Sequence, residues 1–220
     1  MGEKSLHEAV KRWYARPGDS LETVVEGYVV DVVRGDLLVE VQTSNFSALK
    51  EKLGDLARSH RVRLVHPVPS TKWIVRLSQN GEELSRRRSP KKGRVEEVFY
   101  ELVYLPEMVA EPNLSLEVLL VEAEEVLIDD GRGSWRRRWW SVHDRRLLRV
   151  VEITVFHEPQ DFLGLLPEGL PERFTVKDLA ERKHLRSSLA QKMAYCLRHM
   201  GATEVVGRRG RALLYSKRDG

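Results

Sequence analysis

The sequence predicts an α/β protein: an α-β-β-β-α-β core with additions, followed by a small C-terminal module of two short helices and a β hairpin. Three observations predict it. Helical and strand periodicities alternate in that order over the first 77 residues, two short helical stretches and a glycine-flanked hairpin follow residue 174, and 41% hydrophobic with 32% charged residues is the balance of a globular chain. At 220 residues there is enough chain for a core domain and a small module, each with a hydrophobic interior. No stretch approaches the ~20 apolar residues of a membrane helix, and Met1-Gly2-Glu3-Lys4-Ser5 opens without an apolar signal region. The expectation is a soluble, cytoplasmic protein with no membrane partner. The lone cysteine, Cys196, has no second cysteine to pair with and falls among apolar helix positions, so it reads as packing.

In the core, Ser5 to Ala15 reads as a helix with Leu6, Val10 and Trp13 on one face, a Ser5-x-x-Glu8 capping box, and a stop at Pro17-Gly18-Asp19. Glu22 to Val25, Tyr28 to Val33 and Leu37 to Thr43 are rich in valine and leucine and are broken at Glu26-Gly27 and Arg34-Gly35-Asp36, the pattern of an antiparallel meander. A helix is expected from Asn45 to Ser59, on a Phe46, Leu49, Leu53, Leu56 stripe. Strands follow at Arg61 to Val65 and Trp73 to Leu77. Asn80-Gly81 signals a turn, and Ser85 to Arg94, with Arg86-Arg87-Arg88 and Lys91-Lys92, reads as a basic loop. Val95 to Val109 is expected to be helical and Leu114 to Ile128 strand-like. Arg132 to Arg149 interleaves Trp135, Trp139 and Trp140 with arginines, a pattern that fits either base stacking with phosphate tracking or an aromatic core with arginines on the outer face. Prolines 159, 167 and 171 mark a hinge. The expected division is a core over 1–78, its extension over 79–158 and the terminal module over 159–220.

The charge is uneven. Between 174 and 220 stand eleven basic and four acidic residues, a net +7, which leaves the remainder at about −3 and makes an anionic partner a property of the C-terminal module. Thr175 can cap a helix to Arg182, Lys183-His184-Leu185 is a turn, and Ser187 to Met200 is a second helix stopped by Gly201. Strands Thr203 to Val206 and Ala212 to Tyr215 flank Gly207-Arg208-Arg209-Gly210. The segment FTVKDLAERKHLRSSLAQKMAYCLRHMGATEVVGRRGRALLY resembles the winged helix-turn-helix family. With Leu189, Met193, Cys196, Leu197 and Met200 facing the core, Ser188, Gln191, Lys192 and Tyr195 face outward, beside Arg186 and Ser187 at the helix start. The resemblance implies that these residues, together with Arg208, Arg209 and Arg211 of the wing, contact DNA, as duplex.

The segment EGYVVDVVRGDLLVEVQTSNFSALKEKL carries the chemistry. With Arg34-Gly35 as a two-residue turn, Asp31 faces Leu38, and Asp31, Glu40 and Gln42 share one sheet face. An acid on one strand and Glu-x-Lys on the next is the motif of the PD-(D/E)XK, or restriction-endonuclease-like, nucleases, which residues 5 to 77 resemble in spacing and element order. The resemblance implies that Asp31 and Glu40 bind Mg²⁺ or Mn²⁺ for phosphodiester hydrolysis. Gln42 departs from the family lysine: its amide can orient water or phosphate but brings no positive charge. Lys50 on the following helix is the candidate for a migrated lysine. Glu8 stands where the family often has a further acid, though its capping role accounts for it, and His7, His60, His66 and His143 show no metal-ligand spacing. The resulting expectation is a DNA-binding protein with an Mg-dependent endonuclease site. The alternative is an inactive nuclease-like scaffold that binds DNA or regulates. The sequence leaves the oligomeric state open and permits a homodimer.

Overall fold

Runs rich in valine and leucine zip into one large sheet, and helices close both of its faces. The computed structural model describes residues 2–131 and 139–218, with side chains from Ser5 onward. Trp135 and Arg136 to Arg138 of the Trp/Arg stretch lie outside the described residues. Helix α1 (Gly2–Tyr14) leads to strands β1 (Ser20–Val25), β2 (Tyr28–Arg34) and β3 (Leu37–Val41). A 3-10 turn runs into helix α2 (Lys50–Leu56), then come strands β4 (Arg61–Leu77) and β5 (Glu83–Arg88), helix α3 (Phe99–Leu102), and strands β6 (Leu114–Ile128) and β7 (Ser141–Phe156). The sheet runs β1-β2-β3-β4-β6-β7, with β5 pairing β4. Both β3 with β4 and β4 with β6 are parallel, and the outer pairings are antiparallel. No helix among the described residues is long and apolar enough to cross a membrane.

Several elements differ from expectation. The two strands foreseen around Pro67 and Pro69 are one, β4. Its pairing with β3 ends at Val65 and its pairing with β5 begins at Trp73, so both prolines fall where β4 has a partner strand on one side only and a missing N–H costs least. The expected basic loop begins in strand β5, which holds Ser85 to Arg88, and Asn80-Gly81 is the hairpin turn into it, with Gly81 at φ +85. Val95 to Val109 is two 3-10 turns around the four-residue α3. The first helix begins at Gly2, so Ser5 and Glu8 lie inside it and form no cap. Glu8 instead accepts from Lys11, which also reaches Glu22 on β1.

On one sheet face α1 packs Leu6, Val10 and Tyr14 against Val32, Val39, Val41 and Val65. The other face carries the larger core, where Phe156 stacks on Phe162 at 4.0 Å and Phe99 lies 6.0 Å from Phe162. The C-terminal module joins this second core. It comprises β8 (Arg173–Phe174), α4 (Val176–Lys183), α5 (Ser187–His199), β9 (Thr203–Arg209) and β10 (Ala212–Lys217), with its own sheet ordered β8-β10-β9. Thr175 and Asp178 cap α4 reciprocally, and His184 takes the left-handed conformation between the helices at φ 53. Leu189, Met193, Cys196 and Leu197 are buried in the same cluster as Phe99 and Phe162, and burial pushes the Cys196 thiol up to about 12, where it is inert.

Gly93 donates to Pro69 O at 3.1 Å, and a Cβ there would stand 2.3 Å from that oxygen. Gly93→Ala is therefore expected to cost about 1–3 kcal/mol, seen as a lower urea midpoint. Gly54, inside α2 with open space around it, should do the reverse: Gly54→Ala raises stability by up to about 1 kcal/mol.

Candidate functional site

The neck of the β2–β3 hairpin brings the two acids together. Observed pairs are Arg34 with Leu37, Val33 with Leu38 and Val32 with Val39. The turn is thus Gly35-Asp36, one residue later than expected, and continuing the register sets Asp31 opposite Glu40 rather than Leu38. The regular ladder ends there. Val30 packs in the α2-side core and Val32 in the α1-side core, so β2 changes its facing at Asp31. On β1 the matching irregularity is Glu22, whose φ is 49. The Asp31 carboxylate turns into the gap: Oδ2 accepts from Val41 N at 2.9 Å and from His7 Nε2 on α1 at 3.1 Å.

Glu40 is buried, with 4% exposure. Lys52 Nζ of α2 stands 2.5 Å from Glu40 Oε1 and donates to Val29 O at 2.5 Å. The approach to Oε1 is close but poorly angled, and that oxygen has no well-formed hydrogen bond. Burial pushes the Glu40 carboxyl up from its ordinary value; Lys52 opposes the rise and neighbouring Asp31 adds to it. Burial also works against ionised Asp31, but the His7 ring, Val41 N–H and Lys52 outweigh it and hold that carboxyl below its ordinary value. The Asp31 hydrogen bond in turn raises His7, against the opposing effect of its burial.

The lysine beside Glu40 is Lys52, not Lys50. Two residues along a helix turn a side chain through about 200°, and Lys50 points to a different groove, lined by Tyr104, Glu107 and Tyr195. A signal for Lys52 exists in the sequence: positions 49, 52, 53 and 56 are the i, i+3, i+4, i+7 face of one helix, so a lysine there is drawn toward the sheet. Gln42 is spent locally, its Nε2 donating to Ser44 O and Asn45 O. His7 had no sequence signal, because its partner lies 24 residues away. His66 is enclosed with its Nδ1 2.7 Å from Gln42 O and its ring edge-on to Phe46, and burial lowers its pKa. Among the described residues no three His, Cys, Asp or Glu side chains form a metal-sized group.

The second candidate surface is basic. Arg186, Ser187, Ser188, Gln191 and Tyr195 are exposed along the outer side of α5, with Lys192 half-buried and Tyr195 4.1 Å from the His199 ring. In the terminal hairpin Arg209 pairs with Ala212, so the turn is Gly210-Arg211, and Arg208 and Arg209 lie within β9 rather than at the tip. Arg209 Nη1 bonds Asp178 Oδ2 at 3.0 Å, tying the hairpin to the cap of α4. Arg208, Arg211, Lys192 and Arg186 have no carboxylate partner among the described residues. In the described part of the Trp/Arg segment Arg149 pairs Glu122, Arg145 pairs Glu125 and Arg76 lies over the Trp140 ring, while Trp139 is exposed, so these tryptophans form no aromatic core.

Fold and site together define a mixed α/β protein whose central hairpin gathers two opposed carboxylates and two bases, one from each flanking helix. The chain belongs to the family described as "Domain of unknown function (DUF8091)", whose model matches residues 4–157, ending one residue beyond β7. It is 33% identical over 219 residues to an "Uncharacterized protein" of Treponema pallidum (strain Nichols), spanning 98% of this chain and 85% of that one. No solved structure matches it.

The His7–Asp31 pair makes a pH prediction. Because folding raises the His7 pKa, its contribution is full below the ordinary 6.5 and fades as pH climbs through the folded value. The Asp31 contribution is present above the ordinary 3.8 and fades as pH falls through its depressed folded value. In NMR titration His7 should ionise above 6.5, and in Asp31→Asn its midpoint should fall, because burial is then opposed only by Glu8. An identical midpoint in the two proteins would contradict the pairing.

Proposed function

We propose that the protein binds duplex DNA and hydrolyses a phosphodiester with a divalent cation, Mg²⁺ or Mn²⁺, held by Asp31 and Glu40. The observation that carries this reading is the convergence of Asp31, Glu40 and the Lys52 ammonium at the neck of one hairpin, two acids and a lysine on the restriction-endonuclease-like element order. The parallel pairing of β3 with β4 across α2 supports that likeness, and the capped α4, the His184 turn, α5 and the β9–β10 hairpin support a winged helix-turn-helix. Lys52 would take the place that Gln42 leaves empty in the Glu-x-Lys pattern.

The donor set suits a hard cation. Mg²⁺ commonly takes one or two carboxylates and completes its shell with water and phosphate oxygens, and the buried Glu40 Oε1 lacks a well-formed hydrogen bond. When bound, such an ion polarises a phosphoryl oxygen and acidifies a coordinated water. The protein's own groups have separate tasks. His7 and Val41 N–H fix the Asp31 rotamer through Oδ2. Lys52, anchored on Val29 O, keeps a positive charge beside Glu40, where charge on a phosphate in flight would be stabilised. The basic side chains of α5 and β9 would hold the duplex by its backbone.

Calorimetry with Mn²⁺ should give saturable binding that Glu40→Ala abolishes. Nicking of supercoiled plasmid should fall on the order of a hundredfold in Lys52→Met and remain near wild type in Lys50→Met. If neither Mn²⁺ nor Mg²⁺ binds, even with DNA present, the site is a self-neutralised structural cluster and the protein a non-catalytic DNA binder.

A further inference from the structure

A groove of about 270 Å³ lies where the chain leaving β5 meets the α4–α5 turn, lined among others by Lys91, Lys92, Arg94, His184 and Arg186. It joins two parts of the chain some ninety residues apart, so neither the basic segment after β5 nor the helix pair defines it alone. Its framework is held firmly. Gly93 lies against Pro69 O, Arg94 Nη1 donates to Lys183 O at 2.9 Å, and buried Glu96 takes Arg94 at 3.3 Å and Lys183 at 3.0 Å. Lys91 is matched by Glu97 at 2.9 Å. That leaves Lys92 and Arg186 as the cations in the groove with no carboxylate partner among the described residues. Helix α5 starts at the groove with Arg186 as its N-cap residue, and neither a capping side chain nor an acid in the first turn satisfies its opening N–H groups.

We infer that this groove is a second phosphate-binding site, in which Lys92 of the sheet unit and Arg186 of the helix pair clasp one stretch of nucleic-acid backbone. The inference rests on the duplex-binding reading and extends it: the footprint is not confined to the C-terminal module but runs onto the sheet unit. Two exposed cations without carboxylate partners and the opening amide donors of α5 match the charge and acceptor pattern of a phosphodiester. Because the Glu96 ion pairs hold the two sides together, contacts from the two units reach the same strand in fixed register.

The test is fluorescence anisotropy of a labelled 20-base-pair duplex against salt, with wild type, Arg186→Ala, Lys92→Ala/Arg186→Ala and Arg208→Ala/Arg211→Ala, folding being checked by circular dichroism. Each lost phosphate contact lowers the slope of log affinity against log salt by about 0.9, so the groove variant should lose close to two units of slope and on the order of tenfold in affinity near physiological salt. If wild type binds and the hairpin variant weakens while the groove variant keeps the slope and affinity of Arg186→Ala, the groove inference is overturned and duplex binding by the module stands. If wild type does not bind at low salt, the duplex reading itself fails, and the groove with it. Calorimetry with inorganic phosphate separates the remaining source. Binding of phosphate that the groove variant loses, with duplex affinity unchanged, makes this a free-anion site and overturns the assignment.

Discussion

Two carboxylates held opposite each other at the neck of one hairpin are the constraint around which the rest of the central structure is arranged. In water Asp31 and Glu40 would repel only weakly; between valines the repulsion and the loss of hydration are both larger. The chain answers with one base from each side of the sheet. His7 comes from α1 and Lys52 from α2, so the interaction that neutralises the acids also pins both helices to the hairpin. At Glu40 burial outweighs the lysine, and the carboxyl stays above its ordinary pKa although Lys52 Nζ stands 2.5 Å from Oε1.

The second organising feature is how the terminal helices are attached. A flexibly tethered module would have its own closed core, whereas here α5 buries its apolar face in the core that lies beneath Phe99 and Phe162. The ion pairs of Glu96 with Arg94 and Lys183 fasten the other edge. Such buried pairs add less to stability than to geometry, since the desolvation of Glu96 offsets much of the attraction. Their consequence is positional: the start of α5 is held beside the segment that carries Lys92. The arginines of β7 belong to a different category, Arg145 and Arg149 being paired with carboxylates of β6 and Arg146 with Asp144 of its own strand, and the local density of positive charge in the sequence did not distinguish the two.

Sequence alone was enough for the element order of the first 65 residues, the two terminal helices with their boundaries near Thr175, His184 and Gly201, and the placing of Asp31 and Glu40 on neighbouring strands. All of these follow from local physics: side-chain period, caps, turn residues and the cost of burying an acid. Tertiary structure decided what depended on partners distant in the chain. The one-residue shift of the hairpin turn set the two acids face to face, the rotation of α2 chose Lys52 over Lys50, and the fold across α1 recruited a histidine that no spacing rule would select. Pairing between sheet and module likewise turned a basic run after β5 into one wall of a groove. A pattern along the chain records which face a residue occupies, but which residues meet across that face is determined by register and helix rotation, and those are fixed only when the whole core packs.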